Sequence, residues 1–348
     1  MCGERIWVSR VVAAGPFEDR TGPFAAALLT LGWPPVVSVG GVALLRGTEA
    51  RPTFLLSMVL TGVLVGALPA LIRYYGEYLL PGFFESAAAI VTEPERLPGL
   101  AERYAELFAR RYWVVTAVWT LLLLSVFAGS GAAFARNGIG GATDPAYWLL
   151  FALFLWGGLL TGIGFHGIVV TTLVVRKLTT DFEIDIDPYH PDRVAGLSVV
   201  GHIAIRTTLL VSVGALMIPF AAELAIGGAL EALVGTAVAV YVVFIAASFL
   251  YPTWLIYRSA QTTRRARVNE LRTEIERLTE AVSVDGSSDV DDVAAQLEIS
   301  RLQRRHRAYL ETNLYPMSTG IFTQLVGSVL LPVVTFGIQL LFETDLVG

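Results

Sequence analysis

The chain has 348 residues, of which 54% are hydrophobic and 16% are charged, and its formal net charge is −5. Because about 25% of the residues of a typical soluble domain are charged, this composition excludes a set of ordinary soluble domains. The acidic balance argues against a nucleic-acid-binding protein. The single cysteine, Cys2, excludes disulfides within the chain and metal sites built from several cysteines.

Apolar runs of about 20 residues, long enough to cross a bilayer as helices, recur along the sequence. They predict an all-α, polytopic membrane protein with about seven transmembrane helices. The predicted spans are 24–45, 53–72, 113–135, 146–175, 204–226, 231–257 and 314–342. This divides the chain into a six-span membrane region at 1–257, a cytoplasmic insert at 258–313, and a last span with a short outer tail at 314–348.

The basic residues predict the orientation, because cytoplasmic segments of membrane proteins are enriched in Lys and Arg. If the 258–313 insert is cytoplasmic, all of the 25 basic residues except Arg46, Arg51 and Arg136 fall on the inner side. The prediction is a multi-pass protein of the cell (plasma) membrane, with a cytoplasmic N-terminus and an outer C-terminus. Anionic headgroups of the inner leaflet are the expected lipid partners of these arginines.

A few residues within the spans are candidates for a path through the membrane. His166 and Glu223 are ionisable residues in apolar spans, which marks them as functional candidates. Pro34 and Pro35 interrupt the first span, and broken helices line the substrate sites of many transporters. Ordinary kinks are the alternative for the prolines. The alternative for His166 and Glu223 is that each lies close enough to one face of the membrane to contact water, at opposite faces.

Two pairs of glycines four residues apart predict close helix packing. Gly62 and Gly66 lie in the second span, and Gly158 and Gly162 lie in the fourth. Such pairs serve contacts within one bundle or contacts between the subunits of a homo-oligomer, and the sequence leaves both open.

The inner loop at 176–203 contains acids that alternate with apolar residues over 181–187. An extended stretch would place all these carboxylates on one side. Oxygen ligands of this kind suit Ca²⁺ or Mg²⁺, so we predict a candidate metal site. Its residues are Asp185, Asp187, His190 and Asp192. The alternative is a polar turn in which Asp187 or Asp192 caps the following helix.

The segment His190-Pro-Asp-Arg-Val-Ala-Gly-Leu197 resembles the HPDxxGGL loop of a group of uncharacterised prokaryotic multi-spanning membrane proteins. That group shares a charged helical insert and a proline-containing last span, which corresponds to Leu331-Pro332 here. Ala195 stands where the group has the first glycine. The resemblance implies that the loop is a defined feature, and it carries no activity with it.

The 258–313 insert predicts a helical hairpin with a coiled-coil seam. The seam of the first arm is Val268, Leu271, Ile275, Leu278 and Val282. After a turn at 283–289, the second arm has a looser apolar edge at Val293, Leu297, Leu302 and Tyr309. A hairpin of this length would project about 35 Å. Its arginines lie near the membrane, and its acidic tip is either solvated or a docking surface for a cytoplasmic protein.

A shorter amphipathic helix is predicted near 97–112, at the inner interface. Apolar residues at Leu100, Tyr104 and Phe108 alternate at helical spacing with Glu102 and Glu106. Anchoring against the membrane is its expected role.

The sequence contains no catalytic constellation, metalloprotease motif or phosphate-binding glycine loop, so we do not expect an enzyme. No cofactor is predicted beyond the candidate Ca²⁺ or Mg²⁺ site in the 181–192 loop. The leading hypothesis is a channel- or transporter-like protein for a small ion or solute, regulated from the cytoplasmic side. The alternative is a signalling or scaffolding protein that recruits a cytoplasmic partner through the hairpin.

Overall fold

The computed structural model describes residues 6–192, 194–225, 231–285, 290–315 and Thr323. Over these residues the regular structure is helical, apart from one isolated antiparallel bridge between Val91 and Ile184. The helices are α1 (Trp7–Ala13), α2 (Glu18–Thr21), α3 (Pro23–Leu31), α4 (Trp33–Arg46), α5 (Pro52–Tyr74), α6 (Leu80–Ala87), α7 (Leu97–Arg110), α8 (Tyr112–Gly129), α9 (Gly131–Arg136), α10 (Pro145–Asp181), α11 (Ser198–Ser212), α12 (Ile218–Ala225), α13 (Glu231–Asp285) and α14 (Val290–Glu311). Short 3₁₀ segments occupy Ala88–Ile90, Pro94–Arg96 and Val213–Met217, and a π-helix occupies Tyr75–Leu79.

Four helical stretches are long and apolar enough to cross a membrane. They are Pro52–Ile90, Pro94–Gly129, Pro145–Asp181 and Leu233–Ala281. The bent pair α3 and α4 would be a fifth. The chain is therefore a membrane-embedded helical protein with four to five candidate spans in its described part. The span predicted at 314–342 lies almost entirely outside the described residues.

The break predicted at Pro34 and Pro35 is present, as a 44° bend between α3 and α4. Proline has no N–H group, so Pro35 cannot bond the carbonyl of Leu31 one turn before it. The indole Nε1 of Trp156 on α10 donates to this carbonyl at 3.3 Å. The bend is thus a supported element of the bundle.

Both glycine pairs lie at close contacts between helices of this chain. A Cβ added to Gly162 would lie 2.7 Å from the Cα of Thr116, so α8 and α10 are in backbone contact. A Cβ added to Gly66 would lie 3.2 Å from the carbonyl oxygen of Gly32 at the bend. Close packing inside one bundle is therefore what these glycines permit.

The span predicted at 204–226 is not one helix. α11 begins earlier, at Ser198, and the chain passes through the 3₁₀ segment Val213–Met217 before α12. The cause is Pro219, whose missing N–H cannot continue an α-helix through the preceding turn. Among the described helices, α11 is apolar but shorter than a full span.

The insert is continuous with the preceding span, because α13 runs unbroken from Glu231 to Asp285. Val268, Leu271, Ile275 and Leu278 of the predicted seam are partly covered, while the side chain of Val282 lies outside the described residues. α14 contacts α13.

The apolar edge predicted for the second arm is partly wrong. Val293 and Leu297 are 58% and 66% exposed. The covered positions of α14 include Ala295, Ile299, Leu302, His306 and Tyr309. Their spacing of four and three residues is helical, so the packed stripe is rotated from the predicted one and includes small and polar residues.

The amphipathic helix predicted near 97–112 corresponds to α7. Leu97, Leu100, Tyr104 and Phe108 are buried against the bundle. Glu102 and Arg103 are exposed. The buried face of α7 contacts α6, α8 and α10.

Candidate functional site

A cavity of about 260 Å³ lies inside the helix bundle. Its described lining comes from α5, α7, α8, α10, α11, α12 and α13 and from the short segments at Tyr75 and Val213–Met217, and it contains no charged side chain. The cavity is open on one side, where the lining residues Leu122 and Leu233 are exposed. Leu, Ile, Val and Phe side chains form most of the wall, so the space favours an apolar occupant.

Three hydroxyl groups form a hydrogen-bonded row at one part of this cavity. The hydroxyl of Tyr75 donates to the carbonyl of Gly167 at 2.8 Å and lies 2.7 Å from the hydroxyl of Thr171. Thr171 in turn lies 3.3 Å from the hydroxyl of Thr207. Tyr75, Gly167 and Thr207 line the cavity.

One assignment of the hydroxyl protons satisfies all the contacts of this row. Each hydroxyl carries one proton and accepts through its lone pairs. Tyr75 gives its proton to Gly167, so it accepts from Thr171, and Thr171 accepts from Thr207. Thr207 then keeps its lone pairs free for another donor. In this assignment the end of the row at Thr207, a residue that lines the cavity, can accept a hydrogen bond.

A second polar contact in the lining is already satisfied. The indole Nε1 of Trp119 donates to the hydroxyl of Thr161 at 2.7 Å, and Thr161 donates to the carbonyl of Gly157 at 2.6 Å. These groups bind each other across α8 and α10, which leaves the Thr207 end as the more available polar feature.

The π-helix at Tyr75–Leu79 directs Tyr75 and Glu77 to different partners. Tyr75 points to the hydroxyl row, while Glu77 bonds Arg73 at 2.9 Å. Arg73 is only 2% exposed and also pairs with Glu18 of α2. A buried charge needs such partners, so this network ties the N-terminal segment to α5. Sequence reasoning missed it; the four-residue spacing of Arg73 and Glu77 was the available signal.

The structure does not bring the path candidates His166 and Glu223 together. Nε2 of His166 donates to the carbonyl of Leu107 at 3.1 Å, near the C-terminal end of α5. Glu223 pairs with Arg51, which precedes α5, at 3.6 Å. The ends of α5 are about 35 Å apart at 1.5 Å per residue. Neither side chain lines the cavity.

The acidic inner loop has the extended alternation that the sequence predicted. Ile184 and Ile186 are buried, and the acids at 181, 183, 185 and 187 are exposed. The loop is held in place because the amide of Asp185 donates to Ile90 at 2.9 Å and the amide of Thr92 donates to Glu183 at 3.2 Å.

Asp192 organises the turn that follows. Its Oδ1 accepts from the amides of Val194 and Gly196, each at 3.0 Å. Burial opposes ionisation of this carboxyl, but the backbone donors outweigh it and lower the pKa of Asp192 to about 2. Ala195 and Gly196 have φ angles of +59° and +85°, in the region that favours glycine. This accounts for paired glycines in the motif that the loop resembles.

The four predicted metal ligands do not form a ligand cluster. His190 Nδ1 lies 2.8 Å from Asp192 Oδ1. Asp185 is exposed, and Asp187 accepts from the amide of Tyr189 at 2.9 Å. Within the described parts of the chain, no group of three or more His, Cys, Asp or Glu residues could hold a metal ion. The polar-turn alternative describes what Asp192 does here, although the helix it precedes begins at Ser198.

The loop also contacts the insert. The hydroxyl of Tyr309 on α14 donates to the carbonyl of Ile186 at 3.2 Å, and both residues are buried. Because the loop connects α10 to α11, two walls of the cavity are joined to the insert through this contact. No local sequence pattern indicates a contact between residues this far apart.

No family model, curated protein or solved structure matches the chain. The resemblance of the 190–197 loop to other membrane proteins therefore stays a prediction.

Proposed function

We propose that this chain is a transporter-like membrane protein that holds a small, neutral, mostly apolar solute with one hydrogen-bond donor. The observation that carries the proposal is the cavity, whose described lining is uncharged and whose hydroxyl row ends in a free acceptor at Thr207. A volume of about 260 Å³ lies just below the usual range for small-molecule pockets. A short alcohol suits it better than a whole lipid.

The uncharged lining of the cavity also bears on whether its occupant is an ion or a solute. Apolar side chains form most of the lining, and an ion needs oxygen ligands or water to replace its hydration shell. The oxygens of Tyr75 and Thr171 are already engaged in the row. A solute is therefore the better-supported occupant.

Regulation from the cytoplasmic side is part of the proposal. The acidic loop joins α10 to α11 and bonds to Tyr309 of α14, so a change at the insert has a physical connection to the cavity wall. The same contact favours the signalling or scaffolding alternative, in which a cytoplasmic protein binds the insert. The predicted docking tip carries the acids at 274, 276, 280, 285, 289, 291 and 292, and residues 286–289 of it lie outside the described residues.

The full topology is also proposed here. Seven spans with a cytoplasmic N-terminus follow from the segregation of the arginines. An antiparallel hairpin at 258–313 is supported by the bond from Arg264 on α13 to the carbonyl of Thr312, just beyond α14. Placement in the plasma membrane and assembly into a homo-oligomer rest on the sequence.

Binding of geraniol, a short prenyl alcohol, tests the proposed function. A Cβ added to Gly164, which lines the cavity, meets no atom within 4 Å. Gly164→Leu should therefore fill the cavity with little strain on the backbone. We expect equilibrium dialysis of protein in nanodiscs to show saturable geraniol binding that this variant weakens at least about tenfold.

Gly40→Leu on α4 is the matched control, because its added Cβ also meets no atom within 4 Å and it does not line the cavity. It should bind geraniol like the wild type. Geranyl methyl ether, which cannot donate a hydrogen bond, should bind more weakly than geraniol. Equal binding by both glycine variants would contradict the proposal.

A further inference from the structure

A second cavity, of about 320 Å³, lies between α6 and α11. On one side it is lined by Tyr78, Gly82 and Ser86, and on the other by His202 and Arg206. Buried apolar side chains, including Phe83 and Ile203, complete its wall. This cleft thus combines polar donors with an apolar floor.

Arg206 is the main cationic group of the cleft. It and His202 are one helical turn apart, so their side chains share one face of α11. Within the described residues, Arg206 has no ion-pair partner within 4.0 Å, in contrast to Arg73 of the buried network. An unpaired guanidinium beside a cavity is well suited to a bidentate oxyanion.

We propose that the cleft between α6 and α11 binds the phosphate of a phospholipid headgroup, with Arg206 as its principal partner. Tyr78 carries a hydroxyl group that can donate to a further phosphate oxygen, whereas the hydroxyl of Ser86 already donates to the carbonyl of Gly82 at 2.8 Å. The apolar floor receives the lipid's glycerol and first methylene groups.

The charge distribution puts Arg206 on the inner side, where anionic lipids attract basic residues. A phosphate oxyanion is the shared chemistry of a lipid headgroup and free phosphate. The lipid is favoured because anionic headgroups are concentrated at the inner face and because Leu79, Phe83 and Ile203 also line the cleft.

The cleft lies directly behind the cavity of the proposed function. Arg206 lines the cleft and the next residue, Thr207, lines the cavity. On the other wall, Tyr75 lines the cavity and Tyr78 lines the cleft. A bound headgroup would therefore brace the helices that hold the hydroxyl row, but its binding does not require the solute.

Glu85 allows a test in which a substitution should strengthen lipid binding instead of weakening it. It is the only acid in the described lining of the cleft. A carboxylate near a bound phosphate weakens binding by repulsion, so removing its charge should strengthen binding. An increase of this kind cannot arise from loss of folding.

The experiment is native mass spectrometry of the purified full chain in detergent with added phosphatidylglycerol. Arg206→Gln should reduce lipid retention about tenfold, as expected for loss of a charged hydrogen-bonding partner. Arg103→Gln is the control, because Arg103 is an exposed arginine of α7 outside the cleft. Glu85→Gln should increase retention.

A competition with inorganic phosphate separates the two sources of the ligand. If phosphate fails to displace phosphatidylglycerol, the apolar floor contributes and the lipid is the ligand. Displacement by millimolar phosphate would support a phosphate site of the same chemistry without selection for lipid. If Arg206→Gln and Arg103→Gln retain the lipid equally, or Glu85→Gln lowers retention, the proposal is overturned.

Discussion

At the residue scale, Asp192 shows how one carboxylate can organise a loop that lacks regular hydrogen bonding. It satisfies backbone donors at Val194, Gly196 and Ser198, and buried backbone donors need such partners. Its side chain is only 15% exposed. The ionised form is therefore the one that stabilises the loop.

We predict that Asp192→Asn lowers the free energy of unfolding by about 1–2 kcal/mol at neutral pH, because a neutral amide accepts weaker hydrogen bonds. The folded pKa of about 2 lies below the unfolded pKa of about 4. The stabilisation is thus present above about pH 4 and is lost as the pH falls through about 2. Thermal unfolding of both proteins in detergent across this range checks the difference.

Asp185→Asn serves as the control, because Asp185 is exposed and should change stability little. An equal loss in both variants would argue against the backbone-bonding role of Asp192. The same assay tests the metal hypothesis: a rise in melting temperature with millimolar Ca²⁺ or Mg²⁺ that Asp192→Asn abolishes would support it.

At the scale of elements, the contact between α8 and α10 sets the spacing of one cavity wall. Gly158 and Gly162 face Thr120 and Thr116 with no room for a side chain. Gly164, two residues further along α10, faces open space. The same substitution should therefore have different effects at neighbouring positions.

We predict that Gly162→Ala destabilises the protein by about 1–3 kcal/mol, because a methyl group 2.7 Å from a backbone carbon forces the helices apart. Gly164→Ala should be neutral or slightly stabilising, since alanine favours the helix. Unfolding of each variant in mixed micelles, as the fraction of denaturing detergent is raised, measures the change in stability. Similar losses at the two sites would contradict close packing at Gly162.

The starts of most helices could be predicted from the sequence, because an apolar run and its first proline are local signals. Spans predicted from 24, 53 and 146 begin at Pro23, Pro52 and Pro145. The alternation around Ile184 was also predictable. The π-helix, the Arg73 network and the bond from Tyr309 to Ile186 depend on contacts between distant segments, so local patterns could not reveal them. The cavity depends on the same long-range packing.

At the scale of the whole molecule, the distribution of basic residues in the sequence predicts an inner and an outer side. The inner loop lies against the C-terminal part of α14, since the hydroxyl of Tyr309 donates to the carbonyl of Ile186. The loop between α9 and α10 belongs to the opposite side in the proposed topology. Labelling from each side can therefore test the orientation.

We predict that a cysteine replacing Arg272 on α13 reacts with a membrane-impermeant maleimide only from the cytoplasm. One replacing Gly141 should react only from outside. Both positions are exposed, and Cys2 is first replaced by serine. Labelling of both from one side would contradict the proposed topology.

We expect a solute bound in the cavity to stabilise the inner loop that joins α10 to α11. Hydrogen exchange at the amides of Thr92 and Asp185 measures this most directly, because their bonds hold the loop that joins α10 to α11. With geraniol bound to protein in nanodiscs, exchange at these amides should slow, and Gly164→Leu should abolish the change. Saturable binding of geraniol with unchanged exchange at both amides would contradict the coupling.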